Sequence, residues 1–234
     1  MKKRQSMKRN LTLIALVCSL LLPTLSCALA KAYQVEVVIF SQLSSKGLDS
    51  EQWPYIQTPT LDLSKSTTLA PYNPSQPNFT LLPSSKFTLT EAQKKIDKYH
   101  AYKTLLHVAW RQPTASFKKP ISIHIFGGNV YNQDGQILNY NSSQSQQDLD
   151  NVWQINGTVS VSLNRYFDVN FNLFFAEPFS TLSTMTKNDY FKGNYSGPVY
   201  FHMLESRRTR SKTVNYIDHP LYGTLLMITP VGAS

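Results

Sequence analysis

Cysteine is nearly missing from this sequence: of 234 residues only Cys18 and Cys27 carry a thiol, and both lie in the first thirty. A domain made from the remainder has no disulfide and no thiol nucleophile, which excludes a small stapled secreted module and a cysteine enzyme. Charge is scarce too. Asp, Glu, Lys and Arg make up only 16% of the chain against 12% aromatic residues, a balance that fits β structure better than a helical bundle. No H-E-x-x-H pair and no glycine-rich phosphate loop occurs, so neither a metal site nor a nucleotide cradle, nor any other cofactor site, is expected. Long hydrophobic runs are lacking as well. The apolar stretch Leu11 to Leu22 covers about 12 residues, where a bilayer span needs roughly 20.

What the N-terminus does hold is a targeting segment. Lys2, Lys3, Arg4, Lys8 and Arg9 precede that apolar stretch, and Ala28-Leu29-Ala30 offers a small-x-small cleavage site before Lys31. The expectation is a signal peptide over 1–30 and a single domain over 31–234, exported to the periplasm, with no stable transmembrane span after cleavage. Lipidation at Cys27, within Thr24-Leu-Ser-Cys27, is the competing reading. The formal charge of +9 includes those five leader cations; without them it falls to +4, too little to imply nucleic acid.

Along the domain, Val35-Glu-Val-Val-Ile-Phe40 predicts a strand covered on both faces. The Pro- and Ser-rich stretch 41–85 predicts a long extended loop that docks Trp53, Tyr55 and Tyr72. Thr88-Leu-Thr-Glu91 fits a capping box and predicts one helix over about 88–101. Alternation then predicts strands at Thr104–Trp110 and Ile121–Phe126, the latter ended by Gly127-Gly128, with a turn and mobile loop over 132–150. From Thr158 to Phe175 apolar residues hold the odd positions, predicting either one long bent strand or a hairpin at Asn164-Arg165. Ser180–Pro198 reads as a polar insertion and Val199–Leu204 as another strand. The fold class expected is α+β and β-rich: a mainly antiparallel sheet or partial barrel with one helix and long loops, in which Val35–Phe40 pairs with Leu225–Thr229.

Candidate chemistry concentrates near the C-terminus. Arg207, Arg208 and Arg210 place three cations within four residues, which favours solvation or an anionic partner. Tyr216-Ile-Asp-His-Pro-Leu-Tyr-Gly223 follows, a turn stiffened by Pro220, with Gly223 free to adopt whatever φ the last strand demands. Asp218-His219 lacks a nucleophile and so makes no catalytic dyad. Ser116-Phe-Lys-Lys119 matches an acylation motif, but it sits between Pro113 and Pro120 without K-T-G or S-D-N. His107, His124 and His202 lie within strands, where a histidine usually satisfies a neighbour. Arg111, Arg165 and Lys103 join the arginine cluster as candidates for one anion-binding corner at a sheet end. Trp110 and Tyr216 are candidate stacking rings, with Trp110 also suited to the core. Nothing in these motifs points to an enzyme.

Five blocks together resemble a known family: Val35–Phe40, Tyr102-Lys-Thr-Leu-Leu-His-Val-Ala-Trp-Arg-Gln-Pro113, Asn164-Arg-Tyr-Phe167, Ser206-Arg-Arg-Thr-Arg210 and Asn215–Gly223. In this order they are similar to the CsiV family of cell-shape-integrity proteins of Gram-negative bacteria. The resemblance implies an exported, non-enzymatic, peptidoglycan-binding factor that supports cell-wall synthesis. It also implies an outer-membrane lipoprotein partner, itself the activator of a bifunctional penicillin-binding synthase. A protein-only scaffold and a wall-active hydrolase are the alternatives. The resemblance identifies no wall-contacting residue, so Arg111, Arg165, Arg207, Arg208, Arg210, Tyr216, Asp218 and His219 stand as ligand-binding candidates on the charge and turn argument, suited to carboxylates of peptide stems.

Overall fold

A computed structural model describes residues 32–53, 59–139, 151–193 and 195–231. The targeting segment, Cys27, Tyr55 and most of the predicted loop 132–150 lie outside them. Among the described residues no helix is long and apolar enough to cross a membrane.

Two sheets form the body. The smaller contains β1 (Ala32–Ser41), β3 (Lys103–Pro113), β10 (Tyr222–Pro230) and β9 (Asn215–His219), in the order β3-β1-β10-β9. The larger runs β2 (Ser66–Thr68), β4 (Ile121–Tyr131), β6 (Val152–Leu163), β7 (Phe167–Pro178), β8 (Pro198–Thr209), with β5 (Ile137–Leu138) paired to β4. All pairings between these strands are antiparallel except the short β2–β4 ladder. The expected pairing of the first and last strands is present, from Tyr33 opposite Pro230 to Ser41 opposite Tyr222.

Period-two patterning sends alternate residues of each strand to one shared core. Val35, Val37 and Ile39 of β1, with Leu226 and Ile228 of β10, meet Val159, Val169, Phe171, Leu173 and Phe175 from the larger sheet. Each fully buried side chain of this kind contributes about 1.5–3 kcal/mol. The long odd-position parity resolves into a hairpin. Leu163 pairs with Phe167 around the three-residue loop Asn164–Tyr166, so both strands keep the same face inward. Trp110 is wholly buried, a core ring with its Nε1 donating to Gln112 Oε1 at 2.8 Å.

Three sequence expectations change. The stretch 41–85 is not loop throughout: it contains α1 (Ser45–Leu48), β2 and a 3-10 turn at Ser84–Lys86. Trp53 docks as expected, but Tyr72 is half exposed. Gly127-Gly128 does not end β4. Gly128 takes φ +80 in a bulge, and the strand continues to Tyr131. The polar stretch after β7 begins as α3 (Phe179–Met185), which buries Phe179 and Leu182.

The main helix, α2 (Thr90–Asp97), is shorter than predicted, and its cap comes from elsewhere. Leu89 occupies the N-cap without a side-chain cap bond. Instead the Glu36 carboxylate of β1 accepts from the backbone N–H groups of Thr88 and Leu89, both at 2.8 Å, and from the Thr88 hydroxyl. A carboxylate 52 residues upstream thus takes the place of the local capping box and ties the helix to the outer face of the smaller sheet.

Candidate ligand-binding surfaces

The larger sheet's outward face is a polar ladder. His124 Nε2 meets Asn156 Oδ1 at 2.7 Å, His202 Nε2 meets Asn172 Oδ1 at 2.7 Å, and the Ser206 hydroxyl donates to Asn170 Oδ1 at 2.6 Å. These even-numbered positions follow from the strand period, and cross-strand pairing satisfies them. The ladder leads to the end of the sheet that holds the β6–β7 loop.

That end is strongly basic. Arg208 Nε donates to Asp168 Oδ1 at 3.2 Å, and the Arg165 and Arg210 guanidinium carbons stand 5.6 and 5.5 Å from the Tyr166 ring centroid. One phenol ring thereby faces two cations, whose repulsion its π cloud partly offsets. The loop 114–120 is held beside them by Leu163 N–H donating to Ala115 O at 2.8 Å, which adds the exposed Lys118 and Lys119. Segments 114–120, 162–170 and 206–210 together hold six cations (Lys118, Lys119, Arg165, Arg207, Arg208, Arg210) and one carboxylate, Asp168. A groove of about 520 Å³ opens there, lined by Phe117, Ser162, Asn170, Ser206, Arg207 and Arg208 among others. Lys118 and Lys119 were passed over in the sequence as part of the Ser116-Phe-Lys-Lys119 match.

The remaining candidates lie elsewhere, because neighbours along a strand point to opposite faces. In β9, Tyr216 and Asp218 point outward while Ile217 and His219 are buried. His219 packs against Trp53 and Tyr222, and its Nδ1 accepts from Leu221 N–H at 3.2 Å. Burial, and secondarily the neighbouring His202, lower its pKa to about 4 despite the opposing pull of Asp218. It is a neutral core residue, with its proton on Nε2. A groove of about 410 Å³ between β8 and the β9–β10 turn exposes only part of it, alongside Glu51, His202 and Glu205. Arg111 sits opposite Gln34, toward the far end of β1 from Phe40, with its Nε buried and unpartnered. The single corner expected from sequence is thus divided: the arginines of the β6–β7 end form one cluster, Tyr216 and Asp218 belong to another, and His219 and Arg111 join neither.

The second cluster lies on the outer face of the smaller sheet. Tyr216 stacks on Phe40, with centroids 6.2 Å apart and planes 13° apart, and Tyr102 meets Phe40 edge-on at 5.7 Å. Gly223 lies between the two strands. A Cβ there would come within 2.5 Å of Phe40 and 2.8 Å of Tyr216, so this glycine serves by leaving the space two rings occupy. It is not among the positive-φ glycines, which corrects the turn role expected for it. The Asp218 carboxylate accepts from the Tyr216 hydroxyl at 2.5 Å and from Gln42 Nε2 at 3.0 Å. Burial, then the Asp218 carboxylate, push the Tyr216 phenol above its ordinary range. Phe40, Gln42 and Tyr102 were not singled out from sequence as site residues, since only the register brings them to Tyr216.

Among the described residues no group of three or more His, Cys, Asp or Glu side chains could hold a metal ion. These features describe an α+β protein of two sheets, with one cationic groove and one exposed aromatic surface. A family model described as peptidoglycan-binding protein, CsiV, matches residues 10–231, nearly the whole chain. The chain belongs to the CsiV family. No curated protein and no solved structure gave a match.

Proposed function

We propose that this chain is a non-catalytic, periplasmic peptidoglycan-binding factor that supports wall synthesis and cell shape, and that the basic groove at the β6–β7 end holds carboxylates of the peptide stems. The observation that carries the reading is that three segments far apart in sequence bring six cations and one carboxylate to one sheet end, where Arg207 and Arg208 line a groove. Arginine forks suit carboxylates, and a charge-assisted hydrogen bond is worth about 1.5–3 kcal/mol. Family membership supports the ligand class. In the same reading the protein acts with an outer-membrane lipoprotein that activates a bifunctional penicillin-binding synthase, the partnership that the resemblance to the family implies.

Co-sedimentation of the purified protein with sacculi at low and high salt tests this. The wild type is expected to pellet at low salt and to be released at high salt, where exposed charges are screened. A folded Arg207/Arg208/Arg210→Ala variant is expected to stay in the supernatant. Pelleting unchanged by the triple substitution moves the site elsewhere, and no pelleting of the wild type leaves a protein-only scaffold.

A further inference from the structure

We propose a second, separate binding site on the outer face of the smaller sheet, where Tyr216 and Phe40 pack over Gly223 with Tyr102 against Phe40 and the Asp218 carboxylate at the edge, and that it stacks the neutral sugar rings of the glycan strand. The inference rests on the peptidoglycan reading above and names the part of the polymer that the basic groove does not serve.

Three observations carry it. The ring surface is open: Tyr216 is 48% exposed and Tyr102 39%, although Phe40 between them is buried. An exposed aromatic patch rimmed by polar groups is a candidate interaction surface. The surface is also built. Gly223 leaves the two rings their room, and the Tyr216 hydroxyl is fixed by Asp218, which Gln42 fixes in turn. Rigid rings lose little conformational entropy on binding.

The chemistry beside the rings selects the ligand. Asp218 uses Oδ1 for both internal hydrogen bonds, and its exposed carboxylate is an acceptor at the edge of the ring surface. Hydroxyl and acetamido N–H groups of a pyranose are donors around an apolar C–H face, so one sugar satisfies ring and carboxylate together. An anionic stem peptide meets repulsion from Asp218 at the same place. The two surfaces therefore divide the polymer by charge.

The probes are intact sacculi and a β-1,4-linked N-acetylglucosamine hexamer, which carries no carboxylate. The variants are Tyr216→Ala, Tyr102→Ala, Tyr216→Phe and Arg207/Arg208→Ala, each checked by circular dichroism. Loss of Tyr216 or Tyr102 is expected to weaken binding to the hexamer by about 10-fold. Tyr216→Phe keeps the ring and is expected to retain most binding. Arg207/Arg208→Ala is expected to leave hexamer affinity unchanged while weakening salt-sensitive binding to sacculi. Wild-type binding to sacculi but not to the hexamer overturns this site and leaves the basic groove intact. So does hexamer binding that survives both alanine substitutions. Failure of the wild type on both probes overturns the peptidoglycan reading itself.

Discussion

His107 Nε2 lies 2.8 Å from Glu36 Oε1, joining β3 to β1 across 71 residues of sequence, and the same carboxylate holds the start of α2. The other imidazole nitrogen, Nδ1, meets Gln93 Oε1 of the helix at 2.6 Å. Burial pushes the Glu36 carboxyl up, but the hydrogen bonds from His107, Thr88 and Leu89 outweigh it and hold the group below its ordinary range. Strand, helix and neighbouring strand thus meet at one ionised group that is almost wholly buried.

Glu36→Ala leaves two backbone N–H groups and His107 without their acceptor in a buried setting. The expected cost is about 1–3 kcal/mol for each buried donor left unsatisfied. Thermal melts measure the loss, and hydrogen exchange should place the greatest loss of protection in 88–97. A melt within a degree of wild type contradicts this account.

Acid should destabilise the protein in two overlapping steps. His219 titrates at about 4 when folded, against 6.5 for the free side chain. Its stabilising contribution is complete above pH 6.5 and is lost as pH falls toward 4, on the order of 3 kcal/mol in all. Glu36, whose folded pKa lies below 4.5, contributes fully above that value and loses its contribution as pH drops through the folded one. His219→Asn keeps an acceptor for Leu221 N–H and removes the imidazole. It should lower stability at pH 7 yet flatten the dependence between pH 6.5 and 4. A slope equal to wild type argues against a neutral buried imidazole.

Glu177 behaves in the opposite sense. Burial raises its pKa, only partly countered by Gln154, Lys103 and the Tyr131 hydroxyl. Its contribution is therefore complete below pH 4.5 and is lost as pH rises through the elevated folded value. Glu177→Gln, neutral at every pH, should raise Tm at pH 7.5 by about 2–4 °C for each kcal/mol recovered and give no gain at pH 4. Calorimetry at the two pH values decides it; a loss at pH 7.5 refutes the raised pKa.

Gly223→Ala should push Phe40 and Tyr216 apart, at about 1–3 kcal/mol of stability, the range for an overpacked site. Tyrosine fluorescence should change along with Tm. If the melt is unaltered, the contact at Gly223 is softer than the geometry requires.

Asp168→Asn tests the basic groove by addition. Removing its carboxylate frees Arg208 and raises the local positive charge. Pelleting with sacculi should then persist to higher salt, opposite to the arginine substitutions. Release at the same or lower salt counts against anion capture there.

Much of the architecture was legible because strand periodicity is a local signal. The odd positions from Val159 to Phe175 and the apolar β1 and β10 segments identified the core faces and the central pairing. Long-range partners were not legible. Nothing near Thr88 signals that Glu36 will cap the helix, and nothing near Gly223 signals two rings above it. The candidate site was half legible: the arginine cluster stood out as a run, but Lys118 and Lys119 reach it only through the docking of Ala115 on Leu163. Asp218 and His219, adjacent in sequence, part company because a strand sends neighbours to opposite sides.

The β1–β10 ladder has a consequence for the order of events in folding. The first described strand finds one of its two neighbours only when residues 222–230 have been delivered, so the smaller sheet cannot be completed while the tail is still missing. Contacts this distant in sequence make for slow, all-or-none closure. The strand that closes the smaller sheet against β1 is thus the one most distant from it in sequence.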